Sequence, residues 1–71
     1  MSQKKVVLGV HARQRMRQRS IDKELVLLTV SSPDMRKFQA GSYLAVRKFP
    51  ERKVTAVCIE TRRRIFVKTV W

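Results

Sequence analysis

The sequence predicts an α+β domain: two N-terminal helices packed on one face of a three- to four-stranded antiparallel meander sheet. Three observations lead there. Apolar residues follow helical spacing up to Val30, and after Pro33-Asp34 they change to short runs rich in β-branched and aromatic residues. The gaps between those runs are short enough for hairpins, which make neighbouring strands antiparallel. Finally, a chain of 71 residues with 44% hydrophobic content, two glycines and two prolines is too apolar for a disordered basic tail and too short for a second domain.

Taken in order, residues 1–5 read as a loose basic arm. Val6, Val7, Leu8 and Val10 are apolar enough for a short leading strand or for the lead-in to a helix, and the pattern leaves both open. A first helix is expected over about 10–19. On it His11, Arg15 and Arg19 form one i, i+4 row of roughly 80° of arc beside an inward stripe of Ala12 and Met16, while Arg13 and Arg17 lie on another side. The second helix starts at Asp22 as N-cap, with Glu24 in the positive first turn and Ile21 placed to staple onto Val26. It is apolar on most of its circumference, and Pro33 biases Ser32 towards an extended backbone that stops it.

The strands follow. Met35 to Gln39 reads as a weak edge strand, Tyr43 to Phe49 as a second, Val54 to Glu60 as a central strand covered on both faces or nearly so, and Arg64 to Trp71 as the last. Alternation puts Tyr43, Ala45, Arg47 and Phe49 on one face, and Leu44, Val46 and Lys48 on the other. In the last strand it sets Ile65, Val67, Thr69 and Trp71 against Phe66, Lys68 and Val70, so either Thr69 or Lys68 shares a face with the helices.

Charge is the strongest global signal. Seventeen Lys and Arg against five acids give a net charge of +12, and arginine, the type suited to bidentate phosphate contacts, outnumbers lysine. Such an excess attracts polyanions in a salt-sensitive way, so RNA or the ribosome is the expected partner. No long amphipathic helix with bulky aromatics suggests a membrane surface. The N-terminal apolar stretch is too short for a signal peptide, no stretch is long enough to span a bilayer, and the cytoplasm is the expected compartment. The single cysteine, Cys58, excludes an internal disulfide and lies in an apolar run, where it reads as a buried strand residue.

Several chemistries drop out. One histidine with no Asp or Glu three or four residues away makes no metal site, no carboxylate pair suits glycoside hydrolysis, and no nucleophile elbow is present. No cofactor is expected. Metal-free RNA cleavage remains, because the 2′-hydroxyl is the nucleophile and the protein supplies a proton-transfer group and cations. His11 is the candidate general acid/base, with Arg15, Arg19 and Arg47 clamping the scissile phosphate. Arg13, Arg17, Lys48, Arg64 and Lys68 are candidate phosphate contacts, and Tyr43, near Arg47, a candidate stacking ring. The same cations equally suit a non-catalytic nucleic-acid-binding or regulatory module, or a structural protein with an acidic partner.

HARQRMRQRSI, then DKELV, then Pro33 and a final strand ending in VKTVW resemble the domain of unknown function 4258 family over nearly the whole chain. That family is similar to RelE-type members of the barnase, EndoU, colicin and RelE ribonuclease-toxin superfamily. The resemblance implies a two-helix, antiparallel-sheet fold and an endoribonuclease or toxin role, and a toxin implies an acidic antitoxin protein. It assigns function to His11, basic positions to Arg15, Arg19 and Arg47, and a place in the last strand to Thr69.

Overall fold

A computed structural model describes residues 4–71. The chain runs β1 (Lys5–Leu8), α1 (Val10–Arg19), α2 (Lys23–Ser31), β2 (Met35–Gln39), β3 (Ser42–Lys48), β4 (Lys53–Glu60) and β5 (Arg64–Val70). The strands make one five-stranded sheet in the order β1-β5-β4-β3-β2, in which β1 runs parallel to β5 and all other neighbours are antiparallel.

This corrects the expected fold. The first described element is a strand, one of the two readings left open for Val6–Val10, and it makes the sheet a mixed one of five strands, not an antiparallel meander of three or four. The reason is that four residues are too few to show an alternation, so Val6, Val7 and Leu8 are decided by a distant partner: they pair with Ile65, Phe66 and Val67. A parallel pair needs a long crossover, and here everything from α1 to β4 intervenes. Of the expected loose arm, residues 1–3 lie outside the described residues, Lys4 bonds to Glu60, and Lys5 belongs to β1.

Local sequence explains both helices. Past Val10, α1 is built from Ala, Arg, Gln, Met and His with no β-branched residue, a composition dominated by strong helix formers. It stops at Ser20, which adopts the left-handed conformation (φ 53°, ψ 47°), while Ile21 N–H donates back to the Met16 carbonyl at 2.8 Å. That is the hydrogen-bond pattern of a Schellman stop, with buried Ile21 as its apolar cover. Arg52, from the β3–β4 turn, adds two hydrogen bonds, both 2.9 Å, to the carbonyls of Arg19 and Ser20.

Asp22 has the extended backbone of an N-cap, yet α2 begins without a side-chain cap hydrogen bond; the Asp22 carbonyl takes the Leu25 and Val26 N–H groups instead. Ile21 and Val26 are both in the core. At the other end Arg47 donates from Nη1 to the Ser32 carbonyl at 2.6 Å and lies over the Phe49 ring. No described helix is long and apolar enough to cross a membrane.

The core lies between one sheet face and the two helices. Ala12, Val26, Thr29 and Val30 from the helices meet Tyr43, Ala45, Val54, Ala56, Cys58, Val67 and Val70. Small side chains prevail there, and the facing Ala45 and Ala56 let α2 approach β3 and β4 closely. Val67 and Val70 are three residues apart yet both fully buried, because β5 holds a bulge: Cys58 pairs with Val67 and adjacent Val57 with Thr69, which leaves Lys68 as the extra residue. The strict alternation expected of this strand therefore fails. Ile65, Val67 and Val70 face the helices, whereas Phe66, Thr69 and Trp71 belong to the opposite face.

That opposite face has no described helix on it. β4 is central as expected, but Val57 and Ile59 are only half-buried, so the expectation of cover on both faces is corrected. Its run looked doubly covered because the open face is apolar as well.

Candidate nucleic-acid interface

Cations that already hold the fold together can be set apart first. Arg47 and Arg52 hold helix carbonyls, Arg36 lies over the Tyr43 ring, and Lys4 pairs with Glu60, the only ion pair among the described residues. The side chains of Arg13, Arg15, Arg17, Arg19, Lys48, Arg64 and Lys68 are exposed and make no hydrogen bond to another of the described residues. Self-repulsion among them costs stability, and an external anion relieves it.

Four cations meet at one place. A hollow of about 370 Å3 beside the free edge of β1 is lined by Lys5, Val6, Val7 and Leu8 of that strand, with Arg13 of α1, Lys23 of α2 and Arg64 of β5. No carboxylate lines it. The fold assembles it simply: parallel pairing sets Lys5 opposite Arg64, α1 lies against β5, and the α1–α2 turn returns Lys23. Guanidinium and ammonium donors converging without an acid suit the oxygens of a phosphate chain.

Of the residues expected from sequence, Arg13 and Arg64 are thus brought together. His11, Arg15 and Arg19 stand exposed along the other flank of the Ala12–Met16 stripe. Arg47 is not with them. It is on β3, two strands from the β5 against which α1 packs, about 10 Å across the sheet, and its guanidinium is engaged at the end of α2. Arg17 lines an open groove on the outer face of α1 with Val10, Arg13, Gln14 and Gln18. Lys48 lies at the end of β3, Lys68 is the bulge residue, and Thr69 is half-buried on the open face.

Tyr43 is 3% exposed, so its ring has no face free for a base. Its hydroxyl is buried with no hydrogen-bond partner, and burial, then the neighbouring Cys58 and Glu60, push its pKa up to about 12. Burial likewise pushes the Cys58 thiol up to about 11. Neither group exchanges a proton at neutral pH. Among the described residues no three His, Cys, Asp or Glu side chains gather to hold a metal ion.

The family model for the domain of unknown function DUF4258 matches residues 8–71. The chain belongs to this family. No curated protein and no solved structure matches it. The DUF4258 match takes in α1, α2 and β2–β5, and starts just after Lys5, so three of the four cations of the hollow lie within it.

Sequence reasoning missed Lys5 and Lys23. Nothing local marks them, because they meet only through the β1–β5 pairing and the turn between the helices. It also gave no role to Phe66 and Trp71, which are 38% and 46% exposed on the open face.

Proposed function

We propose that this protein binds RNA, with the hollow beside β1 as the principal phosphate-binding site. The observation that carries the reading is the convergence of Lys5, Arg13, Lys23 and Arg64 on one hollow without a carboxylate. The excess of arginine, suited to bidentate phosphate contacts, and the similarity of the DUF4258 family to RelE-type ribonuclease toxins favour RNA as the polymer. The test is RNA affinity against salt concentration for wild type, Arg13→Ala and Arg64→Ala. Each substitution weakens binding and lowers the log–log salt slope by about one. A salt-independent affinity, or two variants with the wild-type slope, refutes the assignment.

A second reading is metal-independent endoribonuclease, favoured by His11, which stands exposed on α1 one turn from Arg15. In it the 2′-oxygen attacks the adjacent phosphorus as His11 takes its proton, the P–O5′ bond breaks to leave a 2′,3′-cyclic phosphate, the departing 5′-oxygen takes a proton from water, and Arg15 and Arg19 face the developing charge. RNA cleavage in EDTA that is lost in His11→Ala supports this reading. Equal rates in wild type and variant, or no cleavage at all, leave binding as the function.

A further inference from the structure

We infer that the uncovered sheet face is a binding surface for single-stranded RNA, on which Phe66 and Trp71 stack with bases. The inference rests on the reading of the hollow as a phosphate site, and it names the form of RNA that the site takes.

The face is defined by register. Opposite the helices lie Leu44 and Val46 of β3, Thr55, Val57 and Ile59 of β4, and Phe66 and Thr69 of β5, with Trp71 beside Thr55 through a pair of backbone hydrogen bonds of 2.7 and 2.9 Å. Phe66 is opposite Ile59 and Trp71 opposite Thr55, four residues apart along β4 and therefore about 13 Å from each other. Between the two rings the floor is made by half-buried Leu44, Val57 and Thr69.

The side-chain charge on this face has one sign. Lys37, Lys48 and Lys53 stand on it towards the β2 side and Lys5 and Arg64 towards β1, whereas no Asp or Glu side chain is on it: Glu60 faces the helices, and the other acidic side chains are in the helical region and the turns. Exposed aromatics between rows of cations are the arrangement that takes single strands, because rings accept any base face and cations follow the backbone. A duplex keeps its bases stacked upon one another and offers neither ring a partner.

Continuity with the hollow favours RNA over other occupants. Lys5 and Arg64 belong to both surfaces, and Val7, which lines the hollow, pairs with Phe66. A strand held by its phosphates at the β1 edge thus has its next bases at Phe66. A second copy of this chain would bring two like-charged rims together at a net charge of +12 each, which opposes self-association.

Trp71 is the only tryptophan, so its fluorescence reports on this face alone. The expected result is saturable quenching by a short oligouridylate, and none by an RNA duplex of the same length. With end-labelled oligouridylate, Trp71→Ala weakens binding roughly fivefold to a hundredfold and leaves duplex affinity unchanged. Phe66 also covers Gly9, where an added Cβ would lie 2.7 Å from its ring, so Phe66→Leu is the informative variant: it keeps apolar cover but cannot stack. Its loss of single-strand affinity, with unfolding unchanged, supports the inference.

The inference is overturned if duplex and single strand bind equally without quenching, or if sedimentation shows a dimer that shields Trp71. It is also overturned if the Trp71 signal responds to an acidic peptide and not to RNA. The first of these leaves the phosphate site standing. If neither RNA form binds, that reading fails too.

Discussion

Arg52 links the β3–β4 turn to the end of α1, and its removal tests how far one side chain holds that junction. The Arg52 guanidinium donates to the carbonyls of Arg19 and Ser20, both at 2.9 Å, at the negative end of the helix dipole. Hydrogen bonds from a charged donor contribute about 1.5–3 kcal/mol each when well shielded. Arg52 is only half-buried, and a C-terminal cation at an exposed helix end is worth roughly 0.3–1 kcal/mol, so the pair together should contribute about 1–2 kcal/mol. Arg52→Ala is therefore expected to lower Tm by roughly 4–16 °C for a domain of this size. Arg52→Lys keeps the charge but cannot span two carbonyls, and should recover less than half of the loss. Urea unfolding followed by far-UV circular dichroism measures both. An alanine variant within about 0.3 kcal/mol of wild type, or full recovery by lysine, would refute the argument that the bidentate geometry matters.

Two further outcomes follow from the backbone and from the buried groups. Ser20 is the one non-glycine residue with positive φ among the described residues, so Ser20→Gly removes left-handed strain of about 1 kcal/mol, partly offset by a more flexible unfolded chain; Tm should rise by a few degrees, and a fall would show that the serine is not strained. In alkali, Cys58 and Tyr43 act in one direction. Their folded pKa values, about 11 and 12, lie above the ordinary 9.0 and 10.0, so the unfolded chain loses these protons first. Stability should be level below pH 9 and fall as pH rises towards 11–12. Cys58→Ala should flatten the fall between pH 9 and 11, and an identical slope in urea midpoints against pH would remove the thiol as its source.

Elements whose cause is local were legible in the sequence, and those whose cause is distant were not. Pro33, the Ile21–Val26 staple and the helix-forming run of α1 act within a turn or two, and they place α1 and α2 to within a residue. β1 depends on β5, so its four residues do not fix their own conformation. The bulge at Lys68 is of the same kind: the two-residue period breaks because Val70 packs beside Ala56, a demand set by β4 and not visible in RIFVKTV. At the site, the sign of the charge was legible but its geometry was not. Arg47, between Tyr43 and Phe49 in the strand alternation, is expected to clamp one phosphate with Arg15 and Arg19 beside His11, yet its guanidinium is occupied by the Ser32 carbonyl. Arg13, on a different side of α1 from that row, is the residue of this helix that lines the hollow.

The pairing of β1 with β5 also sets an order of events. Every other strand contact joins neighbours in the chain, so the hairpins β2–β3, β3–β4 and β4–β5 can close over short loops, while β1 must wait for the strand made last. During synthesis Lys5 and Arg13 emerge early and remain dispersed until Arg64 is in place. A half-made chain is therefore basic but has no assembled hollow, so its cations stay apart and each attracts anions singly. The hollow exists only once the sheet has closed.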